Sequence, residues 1–246
     1  MAVSASPPMG TKWDRFLYWC GRFLRTPQFE EHERGYKIPV ANRVVGAKDA
    51  LLAGDAGWVD LMHHAIVDKP NNLTSWRQTQ PMEAWFRADP ETAALALRLL
   101  WNDTLPVRER LNEYARISIA HGVTAPISET SFLHLAMGIE EYPPFRAGAM
   151  DKAMELTSYA SPRDAGIKSG DIGGRYMHFL RFLDTMVSRG SERGIAFRDR
   201  LDAQSAAWVV TQWYPLADWS DEDRQAFNAY QGSPIHRKET WPSLGN

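Results

Sequence analysis

The stretch WDRFLYWCGRFLRTP (Trp13–Pro27) sets Trp13, Phe16, Leu17, Cys20, Phe23 and Leu24 at intervals of three and four. That is the spacing of one face of an α-helix, and Pro27 interrupts it. The same period recurs along the chain. Val40, Val44, Ala47 and Leu51 follow Pro39 and stop at Gly54, and Trp58, Leu61, Met62 and Ala65 continue it. PETAALALRLLW (Pro90–Trp101) opens with a proline and is rich in Ala and Leu, and Val107, Leu111, Tyr114 and Ile117 follow Pro106. Shorter helical stretches read near 130–138 and 147–158. Tyr176, Phe179, Leu180, Leu183, Met186 and Val187 mark a long one, and Leu201, Ser205, Trp208 and Val209 another. In WSDED (Trp219–Asp223) Ser220 has the position of a helix cap, with acids in the first turn. No sustained alternation of period two occurs.

The pattern predicts an all-α fold of about ten helices in a globular multi-helix domain, with room for two packed halves. On loop composition the expected division is a flexible start (1–10), an N-terminal half (11–120), a C-terminal half (121–232) and a tail (233–246).

The 246 residues are 44% hydrophobic and 24% charged, ordinary values for a globular protein with a sizeable core. A net charge of −2 argues against a protein that coats nucleic acid through charge alone. One cysteine, Cys20, excludes an intramolecular disulfide and a thiolate zinc cage. On the helical apolar face, its thiol reads as core. Residues 1–10 have neither a basic start nor an apolar stretch, and no run approaches a membrane span. A soluble, cytoplasmic protein without membrane partners is the expectation.

Catalytic parts are missing. AGIKSGDIGG (Ala165–Gly174) has a Lys-Ser pair among glycines but not the spacing of a phosphate loop. No two histidines stand one helical turn apart with a glutamate between them. The chain is read as no enzyme by itself, with no catalytic residue, metal or cofactor.

Charge is uneven. Residues 161–200 hold eight basic side chains, seven of them arginine, against five acids: Arg163, Lys168, Arg175, Arg181, Arg189, Arg193, Arg198 and Arg200. Arginine suits planar carboxylate or phosphate partners. The island therefore reads either as a solvated face paired with Asp184, Glu192 and Asp199, or as a phosphate-contacting surface. Ten tryptophans fill mostly core positions by spacing. Trp76 and Trp85 are the better exceptions: Trp76 follows the Asn71-Asn72 turn and precedes Arg77, a grouping suited to stacking on a base or to closing a loop. The candidate DNA-binding residues are Asn72, Trp76, Arg77, Lys168, Arg175, Arg181, Arg193, Arg198 and Arg200.

Several stretches in order carry a resemblance: FEEHERGYKIPVANRV (Phe29–Val44), LLAGDAGW (Leu51–Trp58), NNLTSWR (Asn71–Arg77), SFLHLAMGIEEYPPFRAGAMDKAMEL (Ser131–Leu156), RYMHFLRFLD (Arg175–Asp184) and RDRLDAQSAAW (Arg198–Trp208). Together they resemble the N-terminal region ahead of the AAA+ motor in McrB-like restriction and antiviral defence proteins. The resemblance implies a DNA-binding or target-sensing module of a modification-dependent defence system, with an AAA+ motor and a nuclease subunit as partners. The alternative reading, from a different class, is a helical protein–protein interaction scaffold without DNA contact.

The purified chain is expected neither to hydrolyse ATP or GTP nor to cleave DNA, since it lacks phosphate-loop and metal-ligand motifs. Metal-dependent cleavage that follows the protein through successive columns would contradict this.

Overall fold

The computed structural model describes residues 10–69, 71–74, 76–124 and 126–232. Among them are eleven α-helices and no strand, so the fold is all-α. The packing forms two compact units that interleave along the chain. Unit 1 takes residues 1–35, 146–161 and 182–246, and unit 2 takes 36–145 and 162–181. The division expected near 121–129 followed loop composition along the chain, whereas these units follow packing, and one helix, α9 (Ile172–Ser191), begins in unit 2 and ends in unit 1.

In unit 1, α1 (Lys12–Leu24) buries the face read from sequence, with Phe16, Leu17, Trp19, Cys20 and Phe23 fully enclosed. Thr11 and Asp14 close its start as a capping box, each side chain meeting the other's backbone N–H. Desolvation pushes the Cys20 thiol well above its ordinary pKa, so it is core and not a nucleophile. α1 packs on α8 (Ala147–Thr157) and on α10 (Arg200–Gln212), in which every residue from Leu201 to Gln212 is buried. α11 (Asp221–Gln231) is capped by Ser220, whose hydroxyl accepts from Asp223 N at 3.1 Å, as its sequence predicts. Trp19 stacks on Trp219 at 5.5 Å between centroids, and Phe23 and Phe227 close around the pair. The Arg22 guanidinium lies 4.5 Å over Trp219 and donates to Asp223 at 3.0 Å, so this cation is held by a ring and a carboxylate together.

Unit 2 is a run of helices in which each packs on the next: α2 (Lys37–Ala53), α3 (Trp58–Val67), α4 (Trp76–Ala88), α5 (Pro90–Leu100), α6 (Val107–Ala120) and α7 (Pro126–His134). Gly54 ends α2 at φ 79°, a left-handed conformation that favours glycine. Asp89 caps α5 through Thr92 N, with Pro90 in the first turn. Asn71 closes the helix that precedes it. Its Nδ2 donates to the carbonyls of Ala65 and Ile66, closing the C-terminal end of α3, while its Oδ1 accepts from Leu73 N. Side chains also tie distant backbone: Trp101 Nε1 donates to Leu133 O at 2.9 Å, Lys48 Nζ to Ala136 O at 2.7 Å, and Tyr176 Oη to Pro143 O at 2.8 Å, holding the EYPPF turn.

Of the glycines of Ala165–Gly174, Gly173 serves packing, while Gly166 and Gly170 face open space. A Cβ on Gly173 would sit 2.1 Å from the Arg108 carbonyl oxygen, so only glycine lets α9 begin this close to α6. Gly173 N donates to Asn112 Oδ1, and the Asp171 carboxylate accepts from Arg108, Asn112 and Gly174 N. Along α9, Tyr176, Phe179, Leu180, Leu183 and Met186 are buried as the spacing predicts.

Leu183 is fully enclosed. Leu183→Ala is therefore expected to lower stability by about 2–5 kcal/mol in urea denaturation. An unchanged midpoint would show that this face is not core.

Candidate functional site

Two features of the described residues invite a functional reading: the arginine island and a surface groove in unit 2.

Arg198 and Arg200 of the island flank Asp199 at the start of α10. Asp199 is its N-cap and accepts from Asp202 N at 2.9 Å. The Asp202 side chain turns back to accept from Arg198 N, also at 2.9 Å, so two acids close the first turn. Both acids are then filled by guanidinium groups. Arg34, from the π-helical turn Phe29–Arg34, grips Asp199 with two hydrogen bonds of 2.8 Å and reaches Asp202 at 3.0 Å. Arg198 donates to both Asp202 oxygens at 2.8 Å and to Glu30 at 2.6 Å. Asp202 is 1% exposed. Burial works against its ionisation, but the hydrogen bonds from Arg198 and the charges of Arg34 and Arg198 outweigh that and hold its carboxyl below the ordinary value.

The neighbouring arginines are engaged in the same way. Arg200 makes a two-point contact with Asp184 at 2.6 and 2.9 Å, and Arg193 pairs with Asp14 at 2.5 Å and with Glu192 at 3.3 Å. Asp14, bonded first by Thr11 and then by Arg193, is lowered to about 2. Arg189 lies 5.1 Å over the Trp13 ring. Of the pairings expected for a solvated face, Asp184 with Arg200 and Glu192 with Arg193 occur, while Asp199 is taken by Arg34, which lies outside the island.

The other candidate DNA-binding residues lie in unit 2. Asn72 is exposed between α3 and α4, and Arg77 is exposed on α4. Trp76 opens α4, and its side chain lies outside the described residues. Lys168 is exposed in the loop before α9, Arg175 is half-buried on α9, and Arg181 is exposed on it. Each candidate thus belongs to one unit or the other: Arg193, Arg198 and Arg200 to unit 1, the rest to unit 2.

The groove was not read from the sequence. It encloses about 520 Å³ and is lined by Leu51 of α2, Trp58 and Val59 of α3, Phe86 of α4, and Pro90 and Ala94 of α5. Leu52, Leu61 and Leu95, on the same helices, are 49%, 43% and 64% exposed. The polar lining consists of Asp55, Asp60 and Glu91 against Arg87 and Arg98. Arg87 is paired with Asp60 at 3.2 Å, and Arg98 donates to Leu51 O at 2.7 Å. A sequence signal existed in the paired leucines at 51 and 52, where one helix face cannot bury both.

Among the described residues no group of His, Cys, Asp and Glu could hold a metal ion, and no helix is long and apolar enough to cross a membrane. No family model, curated protein or solved structure matches the chain.

Asp202→Ala removes the hydrogen bonds to Arg34, Arg198 and the Arg198 backbone N–H but leaves Arg34 on Asp199, and is expected to cost about 1–3 kcal/mol in chemical denaturation. The wild type should be most stable above the ordinary aspartate range of about 4 and lose stability as pH falls below it, because Asp202 and Asp223 titrate lower folded than unfolded and folding must then give up protons. A flat acid limb, or a neutral Asp202→Ala, would contradict the network.

Proposed function

We propose that the chain is a helical protein–protein interaction module whose unit 2 groove receives an amphipathic helix of a partner protein. The observation that carries the reading is the apolar groove floor of Leu51, Trp58, Val59, Phe86, Pro90 and Ala94. An apolar groove of this kind is a recurring mode of helix capture. The rim carries three carboxylates against two guanidinium groups, both of which are engaged, so the partner helix carries basic residues beside its apolar stripe.

The DNA-sensing reading, with the AAA+ motor and nuclease partners that the McrB-like resemblance implies, is the second one. One observation favours it: Arg163 and Lys168 are exposed and make no ion pair among the described residues. Against it, Arg193, Arg198 and Arg200 are already bonded to carboxylates, and each would have to exchange a fixed partner for a phosphate.

The test is a photo-crosslinker placed at Ala94, with the captured segment identified by mass spectrometry. An apolar helical segment flanked by Lys or Arg, lost in Val59→Glu, is the expected result. Capture unaffected by that change would overturn the reading. So would salt-sensitive DNA binding by the wild type that weakens in Arg175→Ala with Arg181→Ala, its salt slope becoming shallower by roughly 0.9 for each phosphate no longer neutralised.

A further inference from the structure

The π-helical turn Phe29–Arg34 has helical backbone on both sides. Gln28 before it and Gly35 and Tyr36 after it have φ of −59°, −60° and −70° and ψ of −33°, −36° and −24°, all in the right-handed helical region. Lys37 then opens α2, whose start has no side-chain cap. The turn is therefore a one-residue slip of register in a helical path and not the end of one. The slip closes at Gly35, whose N–H donates to Glu30 O at 2.7 Å, five residues back. An α-helical closure at the same N–H would use Glu31 O, four residues back.

Such slips are rare, and they gather where the surrounding structure makes use of them. Two observations fit that here. A Cβ on residue 35 would lie 2.7 Å from Glu30 O, so glycine admits the longer closure and alanine opposes it. The turn is also tethered at both ends to the start of α10. Glu30, whose carbonyl accepts the slipped bond, has its carboxylate on Arg198, and Arg34, the residue before Gly35, is held by Asp199 and Asp202. The inner part of this lock is enclosed, with the Arg34 and Asp202 side chains 8% and 2% exposed. Its outer part faces water, with Arg198 and Glu30 at 52% and 55%.

We propose that the turn is a register switch worked by this ion network: while Arg34 and Arg198 sit on their carboxylates the residue 35 N–H closes on Glu30, and once the network opens it closes on Glu31 and the turn becomes α-helical. The exchange breaks one backbone hydrogen bond and makes another, so neither register leaves that donor unpaired. The ion pairs then decide between the two states, because only they differ in strength when the network is disturbed. The exposed edge, Arg198 with Glu30, is where a solute anion competes for the guanidinium. The switch lies within unit 1 and stands whether or not the groove of unit 2 binds a helix.

The test identifies the acceptor of the residue 35 N–H in the full chain, labelled with 15N and 13C, from the scalar coupling that crosses the hydrogen bond. The wild type is expected to couple to the Glu30 carbonyl. Arg34→Met combined with Asp202→Asn, which removes the enclosed pair and leaves no buried charge of its own behind, is expected to couple to Glu31. Coupling to Glu30 in that variant would show that the slip holds without the network and would overturn the proposal. If the double variant does not fold, Gly35→Ala decides from the other side. Its N–H is expected to couple to Glu31, and, because register and network are linked in both directions, Asp202→Asn should shift the urea midpoint by about half as much or less in the Gly35→Ala background as in the wild type. Equal shifts in the two backgrounds, or a Gly35→Ala chain that still couples to Glu30, would overturn the proposal as well.

Discussion

The Asp202 carboxylate, enclosed at the start of α10 between Arg34 and Arg198, is the interaction on which unit 1 depends. It closes the first turn of the helix on which α1 and α8 pack, and it pairs with the buried Arg34 and the exposed Arg198. Each participant arrives from a different stretch: Glu30 and Arg34 from the π-helical turn, Arg198 from the loop, and Asp199 and Asp202 from the helix itself. Taking the acid away removes one of the two carboxylates that hold the buried Arg34 and leaves the other, Asp199. The geometry of the turn and the angle at which α10 enters are thereby tied together.

Unit 2 is organised by apolar packing with a few long-range backbone ties, and its departures from that rule mark the places where function is to be sought. Leu52, Leu61 and Leu95 stay exposed on its helices, and Arg110, Tyr114, Glu129, Thr130 and His134 inside it leave polar atoms unbonded.

Much of the fold was legible because it rests on local rules. The i, i+3, i+4 spacing marks the buried stripe of α1 and of α9, and Pro90, Gly54 and Ser220 mark helix ends by the conformations they favour. The sites were less legible, for reasons that can be named. Arg198 and Asp202 lie four apart, readable as a local pair, but Arg34 lies 168 positions from Asp202 and nothing local links them. The arginine count of residues 161–200 was visible, whereas the carboxylates that fill several of them lie at 14, 30 and 202, outside the segment. Gly173 and Gly174 have the composition of a phosphate loop, and composition cannot tell a turn that holds a ligand from one that admits a neighbouring carbonyl.

The central claim is that Arg34 and Asp202 form an enclosed ion pair inside unit 1. A double-mutant cycle on stability, combining Arg34→Met with Asp202→Asn, measures that claim directly. The account predicts that the two changes together cost less than their sum, with a coupling of about 1–3 kcal/mol that survives added salt. Strict additivity, or a coupling that vanishes at high salt, would show that the pair is a surface contact and contradict it.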